Sequence, residues 1–527
     1  MIHQLGPPTF FVTLSCAEKR WQPLKQCLAA LNPDIALVEE HSNSTTTQKL
    51  VRSNPITTAQ YYVHQFQALK KELKKNKELI GQVEDFVFVT EFQHRGSQHD
   101  HGLIWIKDAP CHGQARDEEL VRFIDSTISV DRHQLPEPLR DVQTHSHRKT
   151  CKRKRTECRF GFPRPPANKT MILYPLEEDN VEFFQHHRAQ HKILTEELGK
   201  LQRDNNVSFQ EWLTKLSMCE ETYIEVLRAS ITEATLVLKR EPKDIYTNNF
   251  NIGISNLWDA NKDIQYVFNA FAAASYCTSY MTNNDTAASK AVQAILQQNK
   301  ENGSPTIERL RSLGNALINT QELSSQQAAY IALSLPLHSC SRQFQFLNTN
   351  FAAEQTLMLK RKAQLERLQA EDTNIFFDDI ITKYAKRPRT LHALCLAEFA
   401  SQYKLQGGHH KKMKRCKVIR SINYSVAKDP EKYYHEMCLL YVPFTHEENK
   451  LLVGQTTTWK DVFDTHIQDI VLRSAQFTKV PHLLSINTAK KSSSQSSSSS
   501  SAIEMRHAYD TGVDMPLKKT KASVHTQ

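Results

Sequence analysis

The 527 residues suffice for about three structural units at roughly 100 to 200 residues per domain, and their 14 glycines never fall at the spacing of GxxxxGK[ST], GxGxxG or GxSxG, which excludes a P-loop, a Rossmann fingerprint and a hydrolase elbow within them. The 67 Lys and Arg against 57 Asp and Glu leave a net charge of +10, a balance suited to a polyanionic partner. Eleven scattered cysteines point to reduced thiols and one metal site, not to a small secreted disulfide framework, and without a long apolar run or a signal-like N-terminus the expectation is a soluble intracellular protein with no membrane partner.

In chain order, apolar runs rich in β-branched and aromatic residues predict strands at Phe10 to Leu14, Phe86 to Thr90 and Leu103 to Ile106, and helical spacing predicts a helix over Gln60 to Leu79. The order strand, helix, hairpin favours an α+β fold, an antiparallel sheet with helices on one side, over a parallel doubly wound sheet. Next comes a basic segment, Arg148 to Arg155. Asp179 to Arg240 reads as helical, Asp263 to Tyr280 as one further Ala-rich helix, and 286–380 as mostly helical, with Phe351 to Leu368 the strongest case. KRPRT at Lys386 to Thr390 interrupts the pattern, and GGHHKKMKRCK at Gly407 to Lys417 reads as an exposed basic loop. The serine run within Lys490 to Ser501 cannot bury enough apolar surface to offset its ordering entropy, which predicts disorder from about residue 485. The expected organisation is 1–135 for the hairpin-bearing part, 136–170 for the His/Cys loop, 171–350 for a helical part, 351–415 for a helical linker and basic loop, 416–480 for a small C-terminal unit and 481–527 for the tail.

His99 and His101, two apart before the run Gly102 to Ile106, face the same side of a strand, so both imidazoles can grip one metal ion. Across the turn Arg95-Gly96-Ser97, Glu91 or Gln93 can bring an oxygen beside them, a set suited to metal-assisted phosphodiester chemistry. Taken alone, the same pattern describes a polar surface hairpin. Tyr276 and Tyr280 share one helix face, and a phenol can attack a phosphodiester to form a phosphotyrosine, although two tyrosines at this spacing also serve plain packing. His145, His147, Cys151 and Cys158 form H-x-H-x3-C-x6-C, four ligands suited to a closed tetrahedral Zn2+ site. The interleaved Arg148, Lys149, Lys152, Arg153, Lys154 and Arg155 suit phosphate contact or a nuclear localisation patch.

Several strings together resemble the Rep nuclease region of Helitron rolling-circle transposases. They are FFVTLSCAEKRW at Phe10 to Trp21, EFQHRGSQHDHGLIWIKDAP at Glu91 to Pro110, CRFGFPRP at Cys158 to Pro165, WDANKDIQYVFNAFAAASYCTSYMT at Trp258 to Thr282 and LPLHSCSRQFQFLNT at Leu335 to Thr349. KRPRTLHALCLAEFASQY at Lys386 to Tyr403 and EKYYHEMCLLYVPF at Glu431 to Phe444 resemble the segment that joins Rep to a helicase in full Helitron proteins. The resemblance implies an HUH endonuclease with a five-stranded antiparallel sheet and flanking helices. It further implies Mg2+ or Mn2+ on His99 and His101, Gln93 as third ligand with Glu91 as its rival, and Tyr276 and Tyr280 as paired nucleophiles that nick and rejoin single-stranded DNA in the nucleus. The basic loops at Arg148 to Arg155 and at Lys411, Lys412, Lys414 and Arg415 would hold the strand. With no GxxxxGK[ST] in these residues, unwinding falls to a separate helicase. Asp100 stands where the family has an apolar residue, and Ser279 and Asn283 stand where many members have lysines. These departures motivate the alternative of an inactive transposon remnant that only binds DNA.

Overall fold

The computed structural model describes residues 1–34, 44–92, 96–147, 151, 158, 160–176, 181–202, 205–282, 323–355, 358–369, 372, 375–445 and 458–479, with single positions between 297 and 315. The predicted disordered tail and the basic run 148–150 and 152–155 lie outside them. The chain divides into two compact units, Pro7–Ser339 and Met1–Gly6 with Cys340–Ser493, the second described as far as residue 479.

The first unit is built on a five-stranded sheet. Its strands are β1 (Phe10–Ser15), β2 (Val83–Phe92), β3 (Gln98–Ile106), β4 (Lys262–Tyr266) and β5 (His338–Cys340), in the order β4-β1-β3-β2-β5. The pairs β1–β3, β1–β4 and β2–β3 are antiparallel, as the α+β expectation requires. Alternation then sorts the side chains. Phe10, Val12, Leu14, Phe86, Phe88, Ile104 and Ile106 point to one face and join the main core. Helix α1 (Pro55–Lys75) covers that face because Tyr62, Phe66, Leu69 and Leu73 recur at helical spacing, with Pro55 in its first turn and Lys74 and Lys75 in its last. Burying each such side chain contributes about 1.5–3 kcal/mol.

The opposite face carries Phe11, Thr13, His99, His101 and Glu91, and helix α2 (Ala270–Thr282) places Tyr276 against it. A second apolar cluster in the same unit gathers Cys151, Cys158, Phe160 and Phe162 with Leu194, Leu198, Trp212, Tyr223 and Val226 from the helices Val181–Lys200, Phe209–Lys215 and Glu220–Arg228.

Three expected helical spans are corrected. Residues 263–280 are not one helix: Lys262–Tyr266 is an edge strand, and the helix begins at Ala270. Its Ile264 and Tyr266 enter the core only through pairing with β1, a tertiary gain that outweighs local propensity. Within 179–240, the helices end at Arg228 and Thr235–Val237 pairs with Met171–Leu173. Among the described residues of the span Phe351 to Leu368, helix is confined to short turns at Ala352–Glu354 and Lys362–Leu365, with Met358 73 % exposed, because no packed face repays the cost of helix nucleation.

In the second unit, Leu347, Tyr384, Leu396, Phe399, Cys438, Leu439, Phe444 and Ile470 form the core. The KRPRT segment organises it: the buried Arg387 guanidinium lies 3.6 Å from the centroid of the Tyr384 ring and donates to the carbonyls of Tyr384 and Phe444, each at 2.8 Å. Residues 407–417 are not a plain loop. Tyr403–Gln406 and His409–Lys412 pair as a hairpin turned by Gly407 and Gly408, both at positive φ, while Lys411, Lys412, Lys414 and Arg415 stay exposed.

Candidate functional site

Strand β3 is buried along its whole length although its first four residues, Gln98 to Asp100 and His101, are polar. Its neighbours explain how. In register, His99 stands opposite Glu91 on β2 and Ser15 on β1, and His101 stands opposite Val89 and Thr13. The two imidazoles share a face with ring centroids 5.0 Å apart. Glu91 reaches across so that its Oε2 lies 3.1 Å from His101 Nε2, and Thr13 Oγ1 lies 3.4 Å from the other ring nitrogen. A threonine on the adjacent strand thus orients the ring, as outer contacts to a ligating histidine do. Burial, and then proximity to His101, hold His99 well below the ordinary histidine range, so its imidazole is neutral and can offer a lone pair.

Tyr276 is 5 % exposed and meets this face edge-on, 5.6 Å from the His101 ring centroid and 5.2 Å from that of Phe11. Tyr280 lies one turn further along α2. The Tyr280 side chain, Gln93 and Asn283 lie outside the described residues, as do Arg148, Lys149, Lys152, Arg153, Lys154 and Arg155. Among the described residues, Glu91 is therefore the predicted oxygen donor that reaches the histidine pair.

Asp100, between the histidines, points to the α1 side and is fully buried there. Tyr62 Oη donates to its Oδ2 and Thr90 Oγ1 to its Oδ1, each at 2.6 Å. Burial pushes the carboxyl up to about 6, and the Thr90 and Tyr62 hydrogen bonds pull it back. The Asp100 carboxyl is therefore paired, and it ties β3 to α1.

Sequence reasoning missed a second polar cluster on the histidine face. Asp263 on β4 stands opposite Thr13, accepts from Gln265 and feels Arg164 and Arg240, whose guanidinium groups both donate to Asn249 Oδ1. The alternation in KDIQY is too short and too polar to mark a strand beside the Ala-rich helix that follows. Burial raises Asp263 from 3.8 to about 6, with Arg164 the largest opposing influence. Between those values the folded chain holds a proton that the unfolded chain has released. The contribution to stability is complete below about pH 3.8 and is lost as pH rises through about 6. The difference of about two pH units corresponds to roughly 3 kcal/mol. Asp263→Asn is expected to flatten the fall in denaturant-measured stability between about pH 4 and 6. Parallel profiles for the variant and the parent would refute the assignment.

The four His/Cys residues also converge. One ligand atom from each of His145, His147, Cys151 and Cys158 lies within 4.8 Å of the others. No helix among the described residues is long and apolar enough to cross a membrane. No curated protein matches the chain. Residues 1–104, which contain β1, α1, β2 and both histidines of the pair, match the family described as the Helitron helicase-like domain at N-terminus.

Proposed function

We propose that this chain is a Helitron-type Rep endonuclease of the HUH class, which nicks and rejoins single-stranded DNA through a phosphotyrosine intermediate during rolling-circle transposition. The observation that carries this reading is the convergence of His99, His101 and Glu91 on one sheet face with Tyr276 packed edge-on against His101. The donor set can hold a divalent ion: two imidazole nitrogens, one held neutral by burial, bind it, and the Glu91 carboxylate supplies the hard oxygen that Mg2+ or Mn2+ takes. When bound, such an ion supplies Lewis-acid polarisation of the scissile phosphate.

The chain's own residues do the rest. Thr13 fixes the His101 ring, and the pairing of Asp100 to Tyr62 and Thr90 holds the strand that carries both histidines. The Tyr276 phenol oxygen attacks phosphorus, the bond to the 3′ oxygen breaks, and the proton lost by the phenol is balanced by one gained on the departing 3′-hydroxyl. The 5′ end stays on the tyrosine. Attack by a 3′-hydroxyl reverses the step, so joining needs no nucleotide cofactor, and Tyr280, one turn away, is the second nucleophile. Exposed Lys411, Lys412, Lys414 and Arg415 suit contact with the phosphate backbone. The protein acts in the nucleus.

The burial of Tyr276 favours a second reading, a remnant that binds DNA without cutting it. Incubation with labelled single-stranded DNA and Mn2+, followed by a denaturing gel, separates the two. A covalent adduct is expected, absent from the Tyr276→Phe, Tyr280→Phe double variant. Salt-sensitive binding with no adduct would establish the second reading, and no binding at low salt would sink both.

A further inference from the structure

We propose that His145, His147, Cys151 and Cys158 hold one structural Zn2+ that closes the segment 145–158 and anchors the second apolar cluster of the first unit. Tetrahedral zinc with Zn–S near 2.3 Å and Zn–N near 2.0–2.1 Å places a sulfur and a nitrogen ligand about 3.5 Å apart. The protein sets two such edges: Cys151 Sγ lies 3.5 Å from His147 Nδ1, and Cys158 Sγ lies 3.4 Å from His145 Nε2. All four ligand atoms lie within 4.8 Å of one another, and neither thiol is in a disulfide.

The surroundings are built for a closed site. Cys151 and Cys158 are 2 % and 8 % exposed and belong to the cluster with Phe160, Phe162, Trp212 and Tyr223. The His145 ring stacks on Phe162 at 4.6 Å between centroids and meets Phe160 edge-on, while Tyr246 meets His147 edge-on. The backbone at His145 is fixed as well, because its N–H donates to the Tyr246 carbonyl at 2.7 Å beside the Thr144–Thr247 bridge. Two thiols and two imidazoles, with two of their sulfur–nitrogen pairs at the spacing of a tetrahedral edge, suit zinc, and four protein ligands leave no open position, which makes the role structural. The helices of this cluster pack with Cys151 and Cys158, and removing the ion would leave two buried cysteines and two histidines without that closure.

Zinc content of the purified full-length protein tests the proposal independently of any nuclease activity. About one equivalent per chain is expected. It should persist in the His99→Ala, His101→Ala double variant and be lost, with a lowered Tm, in Cys151→Ser and Cys158→Ser. Where a cysteine variant fails to fold, Co2+ exchanged into the parent protein provides the second readout. Visible bands of a tetrahedral ion with sulfur-to-cobalt charge transfer are expected, and an octahedral spectrum would overturn the site. So would a parent protein without stoichiometric zinc, zinc content unchanged in Cys158→Ser, or zinc lost with the His99 and His101 pair instead. None of these results bears on whether Tyr276 cuts DNA.

Discussion

Glu91→Gln is expected to cut Mn2+-dependent nicking of single-stranded DNA by roughly two orders of magnitude, the scale of one transition-state interaction worth about 2.7 kcal/mol. The substitution keeps the shape of the side chain and its place opposite His99, and removes only the anionic oxygen that lies 3.1 Å from His101 Nε2. Fold and Tm should therefore change little, and calorimetric Mn2+ affinity should fall together with the rate. Gln93→Ala, measured in parallel, decides between the two oxygen donors that the sequence offers. Glu91 is held in the ladder by its register with His99 on β3. Retained Mn2+ affinity and activity in Glu91→Gln, with both lost in Gln93→Ala, would transfer the ligand to Gln93 and overturn the assignment.

The legible parts of this fold are those where one periodicity serves both local structure and burial. FFVTLS alternates over a sheet with one face on α1, and the helix itself shows Tyr62, Phe66, Leu69 and Leu73 at one stripe. The histidine pair was equally legible, because two residues apart on a strand fixes a common face whatever else surrounds it. What escaped depended on partners distant in sequence. KDIQY is too short and too polar to announce a strand, and its Asp263 acquires meaning only beside Arg164 and Arg240. Asp100 looked like a defect in the motif because its compensation lies on Tyr62, 38 residues earlier on a helix, and on Thr90 of the neighbouring strand. The basic stretch 407–417 showed no apolar alternation, so only its Gly407-Gly408 pair, both at positive φ, carried the hairpin signal. Conversely, Phe351 to Leu368 had helical spacing without a surface to pack on, and spacing alone did not produce a helix there.

Gly102→Ala tests how tightly the two faces of the sheet are coupled, and it is expected to destabilise the first unit by about 3 kcal/mol. Gly102 follows His101 and stands opposite Phe88, whose ring lies across it on the α1 side. A Cβ at position 102 would fall 2.1 Å from Phe88 Cε1 and 2.4 Å from Cδ1, a separation no packing tolerates. Nor can the ring retreat freely, because Phe66 holds it edge-on at 5.1 Å and Phe86 packs at 5.6 Å. Strand β3 must therefore shift, and the residue that shifts with it is His101. Phe88→Leu removes the obstructing ring edge at the cost of a smaller core. In that background Gly102→Ala should cost less by at least about 1 kcal/mol, a coupling well beyond the roughly 0.3–0.5 kcal/mol within which independent sites add. Denaturant unfolding of the four proteins measures it. Simple additivity would mean that Phe88 does not set the requirement for glycine. Mn2+ affinity in the same series reads the other face: weakened in Gly102→Ala and partly restored by Phe88→Leu, it would show that the spacing of the histidine pair is set by an aromatic ring on the far side of the strand.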